Sequence, residues 1–332
     1  EVTGDAGRGA FLPDGRWLAT ALLSKVAFWS LRAPWPRVIR VGPSPKAAFT
    51  PDSKQIVSCG NTATSVYPLA PDAPPTHPLA GGPLSTCYGL AIEPSGRHVL
   101  LAATAYGLVL APLDGGEPVP LVRVPPTESI TAVALDASGR WAATAAVYAP
   151  DVRDRLLHVV DRRTGKAQAF PLPGAEGENA WSGGVTALSF ASEGRLLSAG
   201  TAGLRLWDPQ TGQHEVLHPP PCVPMQVSAD GRRIVVGCKA GGLGPSAGAG
   251  VAEFPEPPFD LLVIDTSTGR RRTIGTHGAD IVSLALDPSG ELLATGDLNG
   301  TVRVGRVDGS EPHLLVGAGG LVMSLAISPD GR

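Results

Sequence analysis

The sequence predicts an all-β fold assembled from repeated four-stranded antiparallel units, and three observations predict it. First, the apolar runs are short and each is closed by turn residues. In the stretch 185–217, runs at 185–190, 195–198, 204–207 and 214–217 are separated by Ser192-Glu193-Gly194, Ala202-Gly203 and Asp208-Pro209-Gln210-Thr211-Gly212. Runs of that length are too short for helices and read as the strands of a meander. Second, a turn glycine recurs at Gly15, Gly96, Gly139, Gly194, Gly231, Gly290 and Gly331, with Ser53 in its place in the second unit. Most of the intervals are about 40 residues, the length of one such unit. Third, no stretch carries a helical apolar period with caps, while 42 glycines and 33 prolines punctuate all 332 residues.

Each unit has unlike faces. Four residues before the turn glycine stand Phe11, Phe49, Ile92, Leu135, Phe190, Val227, Leu286 and Ile327, all bulky. One residue earlier stand Ala10, Ala48, Ala91, Ala134, Ser189, Gln226, Ala285 and Ala326, small in all but one unit. Because successive strand residues point to opposite faces, the first strand of each unit is bulky on one side and thin on the other. The pattern continues into the second strand through Leu18, Ile56, Val99, Ala142, Leu197, Ile234 and Leu293. Bulky faces packing on thin faces suit units arranged around a ring.

The ending Leu206-Trp207-Asp208, the Thr211-Gly212 turn after it and the recurrence length resemble the WD-repeat family, including modules found on bacterial signalling proteins such as serine/threonine kinases. The resemblance covers nearly the whole chain and implies a β-propeller of four-stranded antiparallel blades. Seven blades are expected as one domain over 1–332, starting near residues 9, 45, 87, 130, 185, 222 and 281, with an incomplete eighth unit at 321–332. Eight blades with the last truncated are the alternative. A start at Glu1 and an end inside Ser328-Pro329-Asp330-Gly331-Arg332 suggest a piece of a longer chain. The buried His, Ser/Thr, Asp and Trp network of the family is incomplete. Unit seven has His277 and Thr295 but Asn299 and Gly305 at the Asp and Trp places, and unit five has Ser198 and Trp207 but Ala202 at the Asp place. Trp207 is therefore expected to act as a packed residue, and stability to rest on packing and backbone ladders.

A net charge of −3 gives no general attraction to phosphate backbones, so nucleic acid is not expected as a partner. No apolar run is long enough for membrane insertion and no signal peptide is recognisable, which favours the cytoplasm. Cys59, Cys87, Cys222 and Cys238 lack metal-binding spacing and read as small buried hydrophobes, with a Cys222 to Cys238 pairing as the alternative.

Function is sought in the lengthened loops. Insertions at 147–155, 172–184 and 239–260 fall on the rim opposite the Gly turns and carry Tyr148, Asp151, Arg153, Asp154, Trp181, Phe254 and Phe259. Aromatics, arginine and carboxylates in that mixture suit an interface. The expected function is a non-catalytic scaffold or sensor that binds a protein partner, or a flanking domain of its own parent chain, around the fourth to sixth blades. The alternative is a propeller enzyme or small-ligand binder of hydrolase or quinone-cofactor type working through the central channel. Against that, Glu128, Trp181 and Asp280 near the channel entries form no catalytic constellation. Neither a cofactor nor a metal is expected: 241–250 lacks the helix and Lys-Ser/Thr pair of a phosphate loop, and Asp151, Asp154, His158 and Asp161 need not converge. Basic residues follow most turn glycines (Arg16, Lys54, Arg97, Arg140, Arg195, Arg232, Arg332), with Asp14, Asp52, Glu193, Asp230 and Asp330 in the same turns offsetting their field.

Overall fold

A computed structural model describes the backbone of strands from Ala6 to Val316 and, with side chains, most residues of 46–310; 149–155, 174–183, 239–259 and 317–332 apart from Leu325 are among those outside the described residues. Backbone pairing forms seven four-stranded antiparallel sheets, each a meander in chain order, spanning 6–40, 46–78, 87–122, 129–171, 185–218, 222–274 and 281–316. The first is described by its backbone alone. Six of these are described with side chains as blades, against the seven complete blades expected.

Five seams join the six blades, and two of them show the thin and bulky first-strand faces directly. Between the fourth and fifth blades the thin side made by Ala132, Ala134, Ala143 and Ala145 receives Leu188, Phe190, Leu196 and Trp207. Between the third and fourth, Ala91, Leu100 and Ala102 receive Ile130, Leu135 and Val160. Ile92 closes the seam on the second blade, Val227 the seam on the fifth and Leu286 the seam on the sixth. Burying such a side chain stabilises by about 1.5–3 kcal/mol, so these seams are the principal cohesion between blades. Phe49 is half-buried at the end of Lys46–Phe49, and the side chain of Phe11 lies outside the described residues.

In five of the six blades described with side chains, the first turn is fixed by a carboxylate and a hydroxyl two residues apart, in either order. Asp136 accepts the Trp141 N–H at 2.6 Å and the Ser138 hydroxyl, and Asp287 with Ser289 repeats this arrangement. In the reversed order Ser228 donates to Asp230 at 2.6 Å while accepting the Arg233 N–H at 2.9 Å, and Thr50 with Asp52 does likewise. Unit five has Ala191 at the first of these places, and its turn closes differently, as a short 3-10 turn with Glu193 at φ 60°.

That turn is one residue tighter. Phe190 pairs with Leu196, whereas Leu135 pairs with Ala142, Val227 with Ile234 and Leu286 with Leu293. The expectation that Leu197 is the cross-strand continuation of Phe190 is thus corrected: Leu197 pairs with Ser189 and packs in the seam toward the sixth blade. The shift also aligns Ser198 with Ser58, Thr144 and Thr295, a column of buried hydroxyls on the second strands. Trp207, which faces Leu196, shares its register with Trp29 in the first sheet and Tyr67 in the second.

The cysteines are buried as expected, but they are also paired. Cys59, ending Gln55–Cys59, is bonded to Cys87, opening Cys87–Ile92, so this bridge spans two blades with a Cα separation of 5.6 Å. Cys222 and Cys238 face each other across neighbouring strands of the sixth blade, 4.1 Å apart at Cα. No cysteine is free among the described residues. Both bridges lie on the rim opposite the Gly turns. Cys87 and Cys222 open their blades at the place where Ile130, Val185 and Ile281 are buried in the others.

Candidate interaction surfaces

A meander sends its first-to-second and third-to-fourth turns to one rim, and its second-to-third loops and inter-blade links to the other. The two rims differ in chemistry.

The strands that flank the three insertions end or begin at the link rim: Trp141–Tyr148 and Leu156–Asp161, Lys166–Pro171 and Val185–Phe190, Arg233–Cys238 and Asp260–Asp265. Tyr148 is the last residue of its strand, with its side chain outside the described residues. Asp151, Arg153, Asp154, Trp181, Phe254 and Phe259 lie outside the described residues altogether, as do Glu128 and Asp280. On the same rim His218 Nδ1 and the sulfurs of Cys222 and Cys238 come within 4.8 Å of one another. The two sulfurs are bonded to each other, so this group offers no thiolate pair to a metal.

The turn rim is described in detail, and it holds two clefts, each of about 530 Å³, where neighbouring blades meet. The cleft between the third and fourth blades is lined by Glu93, Arg97, His98, Arg140, Arg162 and Arg163. The cleft between the sixth and seventh is lined by Arg233, Asp265, Arg270, Arg271, Arg272, Glu291, Arg306 and Asp308. Both carry an excess of arginine over carboxylate.

The carboxylates in and beside these clefts are engaged. Glu93 accepts from Ser95 at 2.7 Å and from Arg162 at 2.7 Å, and lies 2.8 Å from His98 Nδ1. Burial pushes its pKa up, but those hydrogen bonds and the Arg162 charge outweigh it and hold the carboxyl at about 2. Asp161 is held at about 2, first by the hydrogen bond from Arg140 at 2.7 Å. Asp265 is at about 2 through the Ser267 hydroxyl and the N–H groups of the turn. Asp161 and Asp265 open a repeated second turn, Asp161-Arg162-Arg163-Thr164-Gly165 and Asp265-Thr266-Ser267-Thr268-Gly269, where the Asp accepts N–H groups and the Gly takes φ 73° and 70°. Asp208 and Gly212 form the same turn in the fifth blade.

Several arginines are engaged too. Arg162 donates to Gly139 O at 2.6 Å, Arg233 to Gly290 O at 2.6 Å across the seam, and Arg272 to Val307 O at 3.2 Å. Arg97, Arg163, Arg270 and Arg271 are exposed, and their guanidinium groups have no partner among the described residues. The basic residues that follow the first turns were visible in the sequence. Those of the second turn were missed, although the runs Arg162-Arg163 and Arg270-Arg271-Arg272 were there to signal them.

Seams of unlike faces between four-stranded meanders define an all-β propeller. Residues 269–304 match the family model described as WD domain, G-beta repeat. That match, over one stretch of the chain, and the blade architecture together support a WD-repeat β-propeller. The matched stretch is offset from the blade: it begins before the outer strand Arg271–Ile274 of the sixth blade and ends within Thr301–Arg306 of the seventh. No curated protein matches the chain. No helix among the described residues is long and apolar enough to cross a membrane.

Proposed function

We propose that this propeller is a non-catalytic interaction platform that binds a protein partner, or a flanking domain of its parent chain, on the link rim around the fourth to sixth blades. A WD-repeat fold is consistent with a scaffold. The observation that carries the finer reading is the common rim of the strand ends that bracket all three insertions, Tyr148 and Leu156, Pro171 and Val185, Cys238 and Asp260. Loops gathered on one side of a rigid scaffold are the usual location of binding residues. The bridge between Cys222 and Cys238 closes the root of the longest insertion and ties it to the inner strand of its blade. Membership in a signalling protein is part of this reading by resemblance alone. The test compares affinity enrichment from the source organism's extract by the intact chain and by a chain with all three insertions trimmed to short turns. The reading requires a specific partner that trimming removes. An enriched set unchanged by trimming overturns it.

A further inference from the structure

The geometry points to a second docking surface on the opposite, turn rim, where the arginine clefts hold an extended segment rich in Asp and Glu from a protein partner. The inference rests on the chain being an interaction platform but not on the link rim being the surface.

Charge alone would not establish it, since acids accompany the arginines in both clefts. What decides is how the hydrogen-bonding capacity is spent. The carboxylates of Glu93, Asp161 and Asp265 are turned into their own turns or onto arginines that brace the seams. Arg97 and Arg163 in one cleft, and Arg270 and Arg271 in the other, have their donor forks unspent among the described residues. A guanidinium fork matches a carboxylate in two parallel N–H···O bonds, so each pair can take successive acidic side chains. Arg140, Arg162, Arg233 and Arg272 are fixed by ion pairs or carbonyl contacts, so the clefts keep their shape before a ligand arrives. The bland account of Arg270-Arg271-Arg272 is protection of an exposed edge strand. It does not explain why the free arginines collect at two concave seams. The surface favours a peptide over nucleic acid because the positive charge is split between separate seams of a chain whose net charge is −3, with no continuous stripe along a duplex.

The experiment measures fluorescence anisotropy of a short fluorescein-labelled oligo-glutamate peptide with the full chain at physiological salt, with oligo-glutamine and a DNA duplex as comparison probes. Arg163→Glu and Arg271→Glu each change the net charge as Arg123→Glu does, and Arg123 is exposed on the link rim. Circular dichroism verifies that each variant is folded. Loss of a guanidinium–carboxylate pair predicts binding weaker by about tenfold for each cleft variant. Affinity should hold for Arg123→Glu and for the chain with trimmed insertions. Equal losses in all three charge variants, oligo-glutamine bound as well as oligo-glutamate, or no binding at all would overturn the inference. Tighter binding of the duplex would overturn it in favour of a nucleic-acid surface. Loss of oligo-glutamate binding in the trimmed chain would overturn the turn-rim location while leaving the link-rim reading standing.

Discussion

Trp207 donates its indole N–H to the Ser198 hydroxyl at 2.9 Å, with both side chains buried in the fifth blade. It also lies against His214, ring centroids 4.2 Å apart. Within the fifth blade the hydrogen bond corresponds to one part of the family's polar network, and the tryptophan also packs on the alanine face of the fourth blade. Trp207→Ala is expected to cost about 3–5 kcal/mol. Ser198→Ala, which strands a buried N–H, is expected to cost about 1–3 kcal/mol. Urea unfolding of both, and of Trp207→Phe with and without Ser198→Ala, measures the coupling. A neutral Ser198→Ala would show that the hydroxyl contributes nothing to the blade.

Gly231 separates backbone strain from crowding. It sits at φ 70°, and a Cβ there would lie 2.0 Å from the Ser192 nitrogen of the neighbouring blade. Gly165 has nearly the same φ, 73°, with nothing within 4 Å of its Cβ position. Alanine at Gly165 should cost about 1–2 kcal/mol for the left-handed conformation alone. Alanine at Gly231 should cost more, because it also forces open the approach in which Ser192 N–H meets Gly231 O at 3.2 Å. Equal losses in thermal unfolding would mean that the two blades do not need this contact.

Acid sensitivity should come from Glu93. Its folded pKa of about 2 lies below the ordinary 4.5, so the carboxylate stabilises the fold above that ordinary value. That contribution is lost as the pH falls through the folded value. Between those limits, unfolding free energy should fall with pH in the wild type and more gently in Glu93→Gln. Asp161 and Asp265, both lowered to about 2, act in the same window, so the slope should lessen in Glu93→Gln without vanishing. Identical slopes in the two proteins would remove Glu93 from the account.

The two sulfur bridges predict a dependence on reductant. They join residues 28 and 16 apart in sequence, loops for which a bridge contributes about 3 kcal/mol. The oxidised chain should show no titratable thiol in denaturant and lose stability on reduction. Cys59→Ser should lose the bridge between the second and third blades and keep the other. Four reactive thiols in protein purified without reductant would contradict both bridges.

The seams were the most legible part of the fold. Alternation of Ala134 with Leu135, or of Ala91 with Ile92, carries a two-residue period that survives in any single sequence. The turns were only half legible, because Asp136 with Ser138 and Ser228 with Asp230 do one job in opposite order and no single column of the repeat looks fixed. Lacking that pair, unit five closes a residue sooner. The slip hid the alignment of Ser198 with Thr144 and Thr295, and so the hydroxyl column. Pairing of Cys59 with Cys87 was not legible because the strands meet across a seam, and nothing local in sequence reports that. The insertions have no periodicity, so Tyr148, Trp181 and Phe254 could be selected by composition but not placed. The arginines of the second turns could have been found, had that turn been aligned as the first was.

The seam between the fourth and fifth blades joins a bulky side to a thin side, so a blade of this kind is a piece with a front and a back. Interfaces of that head-to-tail kind do not depend on which two pieces meet, as two-fold interfaces do. A blade could therefore be duplicated or lost in the gene without inventing a new contact surface, the surviving neighbours meeting as before. The seams constrain which face goes against which, and the number of pieces is left to the angle at which they close.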